Sequence, residues 1–178
     1  MLNTKIKISE KIKREIVRYA VSFFFAWLIS SLISDFPFFI KKIKTLNIDT
    51  LLTEYYIYIL DSFFSLFNIN TYSNSNFFMI INTKGIQLTY GCLGLREFAI
   101  FIIFIFLQYG KLKIKIIYIT VGTIILLLLN NIRLIILSYI QYISDKDIQQ
   151  IHDIISPIIM YPTILFLWFL WLNKYSKK

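Results

Sequence analysis

The chain has 178 residues, 57% of them hydrophobic and 16% charged, with a mean hydropathy of +0.66 and a formal net charge of +9. Soluble domains run near 45–50% apolar and about 25% charged, so the excess apolar surface must face a bilayer, which makes membrane lipid the first expected partner. A free-standing soluble enzyme, a disulfide scaffold and a disordered tail are excluded; basic residues interleaved with long apolar runs mark membrane flanks, so no nucleic-acid partner is expected.

In chain order, residues 1–18 form a polar tail carrying Lys5, Lys7, Lys11, Lys13, Arg14 and Arg18. An uncharged run over 19–34 follows and reads as a signal anchor, because Leu32, Ile33 and Ser34 make a poor cleavage site. The apolar stretch 51–67 contains Glu54 and Asp61, and an ionised carboxylate is costly at the bilayer centre; an amphipathic or re-entrant helix at the outer leaflet is expected there. After the polar tract 68–76, two short apolar runs flank Asn82, Thr83, Lys84 and Gly85, which predicts a β-hairpin over 77–90. The runs 93–109, 116–139 and 154–172 each approach the roughly 20 residues that a ~30 Å hydrocarbon core demands. The expected fold is an all-α integral membrane protein, one domain over 1–178. It has four transmembrane helices, an outer-leaflet amphipathic helix and a small extracytoplasmic hairpin.

Four spans place both termini on one side of the membrane. Twelve basic residues fall on that side and seven on the other, and the positive-inside rule makes the terminal side cytoplasmic. A crossing at 51–67 would force the basic N-terminus outside; Lys41, Lys42 and Lys44 on the outer side weigh the other way.

Depth can be counted from the cytoplasmic lysines. Cys92 precedes Lys111 by nineteen residues, about 28 Å; Arg133 follows Lys115 by eighteen, about 27 Å; His152 precedes Lys174 by twenty-two, about 33 Å. Three different spans thus bring a thiol, a guanidinium and an imidazole to the outer edge of the hydrocarbon. Arg96 is four residues after Cys92 and Asn130 three before Arg133, so each pair shares a helix face. Ser156 before Pro157 suggests an N-cap and a first helical position, which would set His152 and Asp153 in the turn above the last span, with a kink at Pro162.

Each of these residues has a plainer reading. A lone buried cysteine is most often an inert small hydrophobe, an arginine near a helix end can snorkel to headgroups, and a lone histidine can be an interfacial polar tip. Context favours chemistry. Cys92 can form no intramolecular disulfide, and Arg96 and His152 at matching depth would favour its thiolate. Two of only four arginines fall beside it, where a planar, permanently charged fork suits an oxyanion or a carboxylate. Asn130 can hold the guanidinium or the nearby backbone, and Asp153 can orient a neighbour or act as an interfacial counter-charge.

Cys92-Leu93-Gly94-Leu95 opening one span, Asn130-Asn131-Ile132-Arg133 in the next and His152-Asp153 before the last resemble the exosortase/archaeosortase family of membrane cysteine transpeptidases. The resemblance covers roughly residues 80–172, closest to the compact bacterial members, and departs from the family at Leu93, where Ser or Asn is frequent. It implies a multi-pass protein of the bacterial cell inner membrane with an extracytoplasmic site. Its partners would be exported substrate proteins that end in a short motif, a transmembrane helix and a basic tail. Cys92 would attack the scissile carbonyl and form a thioester, Arg133 would stabilise the oxyanion or position the substrate, and His152 would activate the thiol and protonate the departing amine. No cofactor or metal is called for, and neither a His-Glu-x-x-His nor a Gly-x-Ser-x-Gly motif is present. The competing reading is a non-enzymatic multi-pass protein, a transporter subunit or polysaccharide-export partner, whose polar groups line a cavity.

Overall fold

A computed structural model describes residues 10–35, 47–144 and 148–175. It is mostly helical, with five helices and a small sheet among those residues: α1 Glu10–Asp35, α2 Ile48–Ser65, β1 Thr71–Asn74, β2 Phe77–Ile80, β3 Ile86–Gln87, α3 Leu95–Leu107, α4 Leu112–Ile143 and α5 Ile148–Lys174. Residues 1–9 of the polar tail and Lys41, Lys42 and Lys44 lie outside the described residues.

Helix α4 shows why this chain needs a bilayer. Ile117, Val121, Ile124, Leu128 and Ile132 recur at three- and four-residue spacing and are exposed, whereas Asn130, Asn131, Arg133, Ser138 and Gln141 are buried. The helix turns its hydrocarbon outward and its polar groups inward, the inverse of a soluble helix. By length and composition, α4 and the 154–174 part of α5 are each capable of crossing a membrane, and α1 contributes a shorter apolar helix, Val17–Ser31. Helix α3 has 13 residues, about 20 Å, and falls short of the hydrocarbon thickness by itself.

Helices α1, α3, α4 and α5 meet in an aromatic core that includes Phe101, Phe104, Leu126, Trp168 and Trp171. Phe104 stacks on Trp168 with ring centroids 4.0 Å apart. Where apolar solvent supplies no hydrophobic drive between helices, close packing must hold them, and small residues permit it. Gly122 of α4 does so: a Cβ there would come within 2.2 Å of the Phe101 ring.

Helix α2 buries Thr53, Tyr56, Leu60 and Phe64, one stripe at three- and four-residue spacing, and leaves Glu54 exposed. This is the amphipathic pattern expected for 51–67. The stripe packs on the sheet, where Phe78 and Ile80 of β2 and Ile86 of β3 point inward with the two-residue period of a half-buried strand. Strands β2 and β3 pair antiparallel as the predicted hairpin, with Asn82 and Gly85 at positive φ in its turn.

The sheet has a third strand that the sequence reading missed. The polar tract supplies β1, antiparallel to β2 with Thr71 opposite Ile80. Asp61 of α2 draws it in, accepting hydrogen bonds from Thr71 Oγ1 at 2.8 Å and Ser73 Oγ at 3.1 Å. The fold is therefore mostly helical with a three-stranded sheet. A second correction concerns the last helix. It runs from Ile148 through both Pro157 and Pro162, so Pro157 is internal and His152 sits on the helix itself. Each proline removes one backbone donor, yet the helix continues through both.

Candidate active site

Between β3 and α3 the chain makes a tight turn, Thr89 to Gly94, that carries the only cysteine. The Cys92 amide donates to the Thr89 carbonyl at 2.8 Å, and Gly94 closes the turn at φ 74, a left-handed conformation that glycine adopts without strain. Helix α3 starts only at Leu95, so Cys92 lies ahead of the helix and the shared face expected for Cys92 and Arg96 does not form. Arg96 instead turns to α1, where its Nη2 donates to Ser31 Oγ at 3.3 Å.

The expected trio does converge. Cys92 Sγ lies 3.7 Å from His152 Nε2, which comes from α5. Arg133 Nη2, from α4, donates to the Cys92 carbonyl at 2.7 Å and reaches the Gly91 carbonyl at 3.5 Å. Asn130 Nδ2, one turn earlier on α4, donates to the same Cys92 carbonyl at 3.0 Å. Two helices distant in sequence, α4 and α5, thus hold one cysteine by backbone and side chain. The side chain of Asp153 lies outside the described residues.

The electrostatics favour a reactive thiol. Cys92 is 5% exposed, and burial pushes its pKa up; the hydrogen bond to His152, the Thr89 backbone and the charge of His152 outweigh that and hold the thiol below its ordinary range. Thr89 Oγ1 adds a donor 3.7 Å from the sulfur. Arg133 is fully buried, and no carboxylate lies within 4 Å of it among the described residues. Its Nε and Nη1 are also without a hydrogen-bond partner there. A buried guanidinium is expensive unless paired, so two unfilled donors beside a nucleophilic turn mark a place where a negative oxygen can be bound.

Residues 17–170 match the transmembrane exosortase family. The chain belongs to that family. No curated protein and no solved structure matches it. Membership together with the apolar helices makes this exosortase-family chain a membrane protein, and the family at large consists of membrane cysteine peptidases and transpeptidases.

Two contributors escaped the sequence reading. Tyr56 of α2 is fully buried and donates through its hydroxyl to the Leu93 carbonyl at 3.1 Å. Burial pushes its pKa up to about 12, against smaller opposing effects of Asn130 and Arg133, so it keeps the proton that it donates. Thr89 is the other. Its position three residues before the cysteine was a usable signal, because a turn returns residue i+3 to residue i; nothing in the sequence pointed to Tyr56. No cluster of three or more His, Cys, Asp or Glu side chains suited to a metal occurs among the described residues.

Proposed function

We propose that this protein is an exosortase-like membrane cysteine peptidase or transpeptidase that cleaves C-terminal sorting signals of exported proteins on the outer face of the membrane. One observation carries the reading: the sole cysteine is within 3.7 Å of the sole histidine, and a buried arginine with unfilled donors braces its carbonyl.

His152 Nε2 takes the Cys92 proton, and the thiolate adds to the scissile carbonyl carbon. The charge that builds on the carbonyl oxygen is met by the free nitrogens of Arg133, a preorganised contribution of about 3 kcal/mol in a dry site. As the intermediate collapses, the C–N bond breaks and the imidazolium returns its proton to the departing amine, which leaves with the membrane-anchoring tail of the substrate. An amine or a water then attacks the thioester, giving its proton to His152 and restoring the thiol. Asn130 and Tyr56 are positioning residues that hold the turn by its carbonyls at 92 and 93.

For topology, we read α1, α3, α4 and α5 as four crossings with both termini cytoplasmic. The short α3 packs against α1, α4 and α5 along its middle, where Phe98, Phe101, Phe104 and Ile105 are buried, so protein rather than lipid surrounds most of it. Helix α2 and the sheet form an outer cap. In cells carrying the wild-type protein, at least one exported protein should lose its C-terminal apolar helix, detected by mass spectrometry of C-terminal peptides. In a Cys92→Ala strain that helix should be retained; identical C-termini in the two strains would refute the assignment.

A further inference from the structure

A groove of about 790 Å³ opens next to the cysteine turn, with α2 as one wall and the β1–β2 turn and residues 88–90 as the other. Thr89 and Leu93, which flank Cys92, form its inner end, and Thr89 Oγ1 is 3.7 Å from the sulfur. Along the α2 wall, Asp49, Thr53, Ile57 and Asp61 recur every four residues, with Glu54 beside them. Three carboxylates therefore line the groove, and no lysine or arginine does among the described residues.

A row of acids alone need not bind anything, but two further features point to an absent guest. Thr53 is 7% exposed and lines the groove, and its hydroxyl makes no hydrogen bond among the described residues. Asp49 uses Oδ2 to accept from Tyr90 at 2.9 Å, while its Oδ1 is buried and unpartnered. A buried polar atom such as Asp49 Oδ1 is normally satisfied, so a donor-bearing ligand along this wall would complete it. From Asp49 to Asp61 the helix rises about 18 Å, which matches about five residues of extended polypeptide. Tyr58 adds a ring face that suits a cation.

We propose that this groove binds an extended, Lys- or Arg-bearing segment of the exported substrate, laid along α2 and delivering its end to Thr89 beside the sulfur. The reading of Cys92 as nucleophile supplies only the reason for that end point. Binding itself is separable from catalysis.

The test uses full-length protein in nanodiscs and two fluorescein-labelled probe peptides, Ac-(Lys-Ser)3-amide and Ac-(Glu-Ser)3-amide, read by fluorescence anisotropy. The lysine peptide should bind, with affinity falling as salt rises, and the glutamate peptide should not. Glu54→Gln alters an exposed side chain with no partner among the described residues, and combined with Asp49→Asn it should weaken the lysine peptide by about tenfold. Thr53→Val should weaken it by about threefold while the protein melts normally. The lysine peptide should also slow alkylation of Cys92 by a maleimide. Equal binding of both peptides, unchanged affinity in the double variant, or displacement of the lysine peptide by millimolar ethanolamine would overturn the proposal, the last by assigning the groove to an acceptor amine. A peptidase-dead result for Cys92 would leave every binding arm readable.

Discussion

Arg133→Met separates what the buried guanidinium does for the fold from what it does for chemistry. The wild-type side chain is fully buried without a carboxylate within 4 Å among the described residues, so its desolvation, several kcal/mol for a real buried ion, is offset only in part. What it returns is chiefly the charge-assisted hydrogen bond at 2.7 Å, worth about 1.5–3 kcal/mol, with the 3.5 Å contact to Gly91 adding little. Methionine fills similar space without a charge, and Asn130 Nδ2 at 3.0 Å still satisfies the Cys92 carbonyl. The two effects nearly cancel, and stability should stay within about 1 kcal/mol of wild type. Activity should not survive. Losing the donors that face the developing oxyanion should cost about 10²–10³ in processing rate. The assay pairs a thermal melt in detergent with cleavage of a C-terminally anchored reporter. A folded Arg133→Met protein that still cleaves within about threefold of wild type would refute an electrostatic role for Arg133, and a variant that fails to fold would refute its being dispensable for structure.

Other perturbations test the surrounding contacts. The rate of Cys92 alkylation should rise with pH through a midpoint below that of an ordinary thiol, because the lowered pKa means that the thiolate already exists at lower pH; His152→Ala should raise the midpoint, since burial is then opposed only by the Thr89 hydrogen bonds. Tyr56→Phe removes the donor to the buried Leu93 carbonyl and should cost about 1–3 kcal/mol in stability by thermal melt, with a fall in cleavage at unchanged alkylation midpoint. Gly122→Leu should destabilise far more than Gly91→Ala, measured by melting of the purified protein, because even a Cβ at 122 meets the Phe101 ring at 2.2 Å whereas at 91 its nearest neighbour is 3.9 Å away.

Sequence depth counting found the convergence of Cys92, Arg133 and His152 because helical rise is uniform: eighteen to twenty-two residues from Lys115, Lys111 and Lys174 bring all three to a similar level. Face spacing failed for Arg96, since pairing it with Cys92 assumed that the helix already ran there; a left-handed Gly94 delays the helix and frees the turn. The Ser156-Pro157 pair misplaced the start of the last helix: it has the signature of an N-terminus, but the helix already runs from Ile148. Strand β1 was illegible for a different reason. Its alternation is among polar residues, and its partner Asp61 lies ten residues away in a helix. Charge within 51–67 read as a reason against crossing; in the fold the same carboxylates line a groove and anchor a strand.

The most direct measurement is capture of the acyl-enzyme. Wild-type protein turning over an anchored substrate should be quenched in acid and digested, and the peptide containing Cys92 should carry an added acyl mass that neutral hydroxylamine removes. That adduct should increase when His152 is replaced by a residue unable to activate the acceptor, if acylation is first driven at raised pH. Continued cleavage by Cys92→Ala protein, or cleavage by the wild type with no hydroxylamine-sensitive adduct on Cys92, would contradict the thioester route.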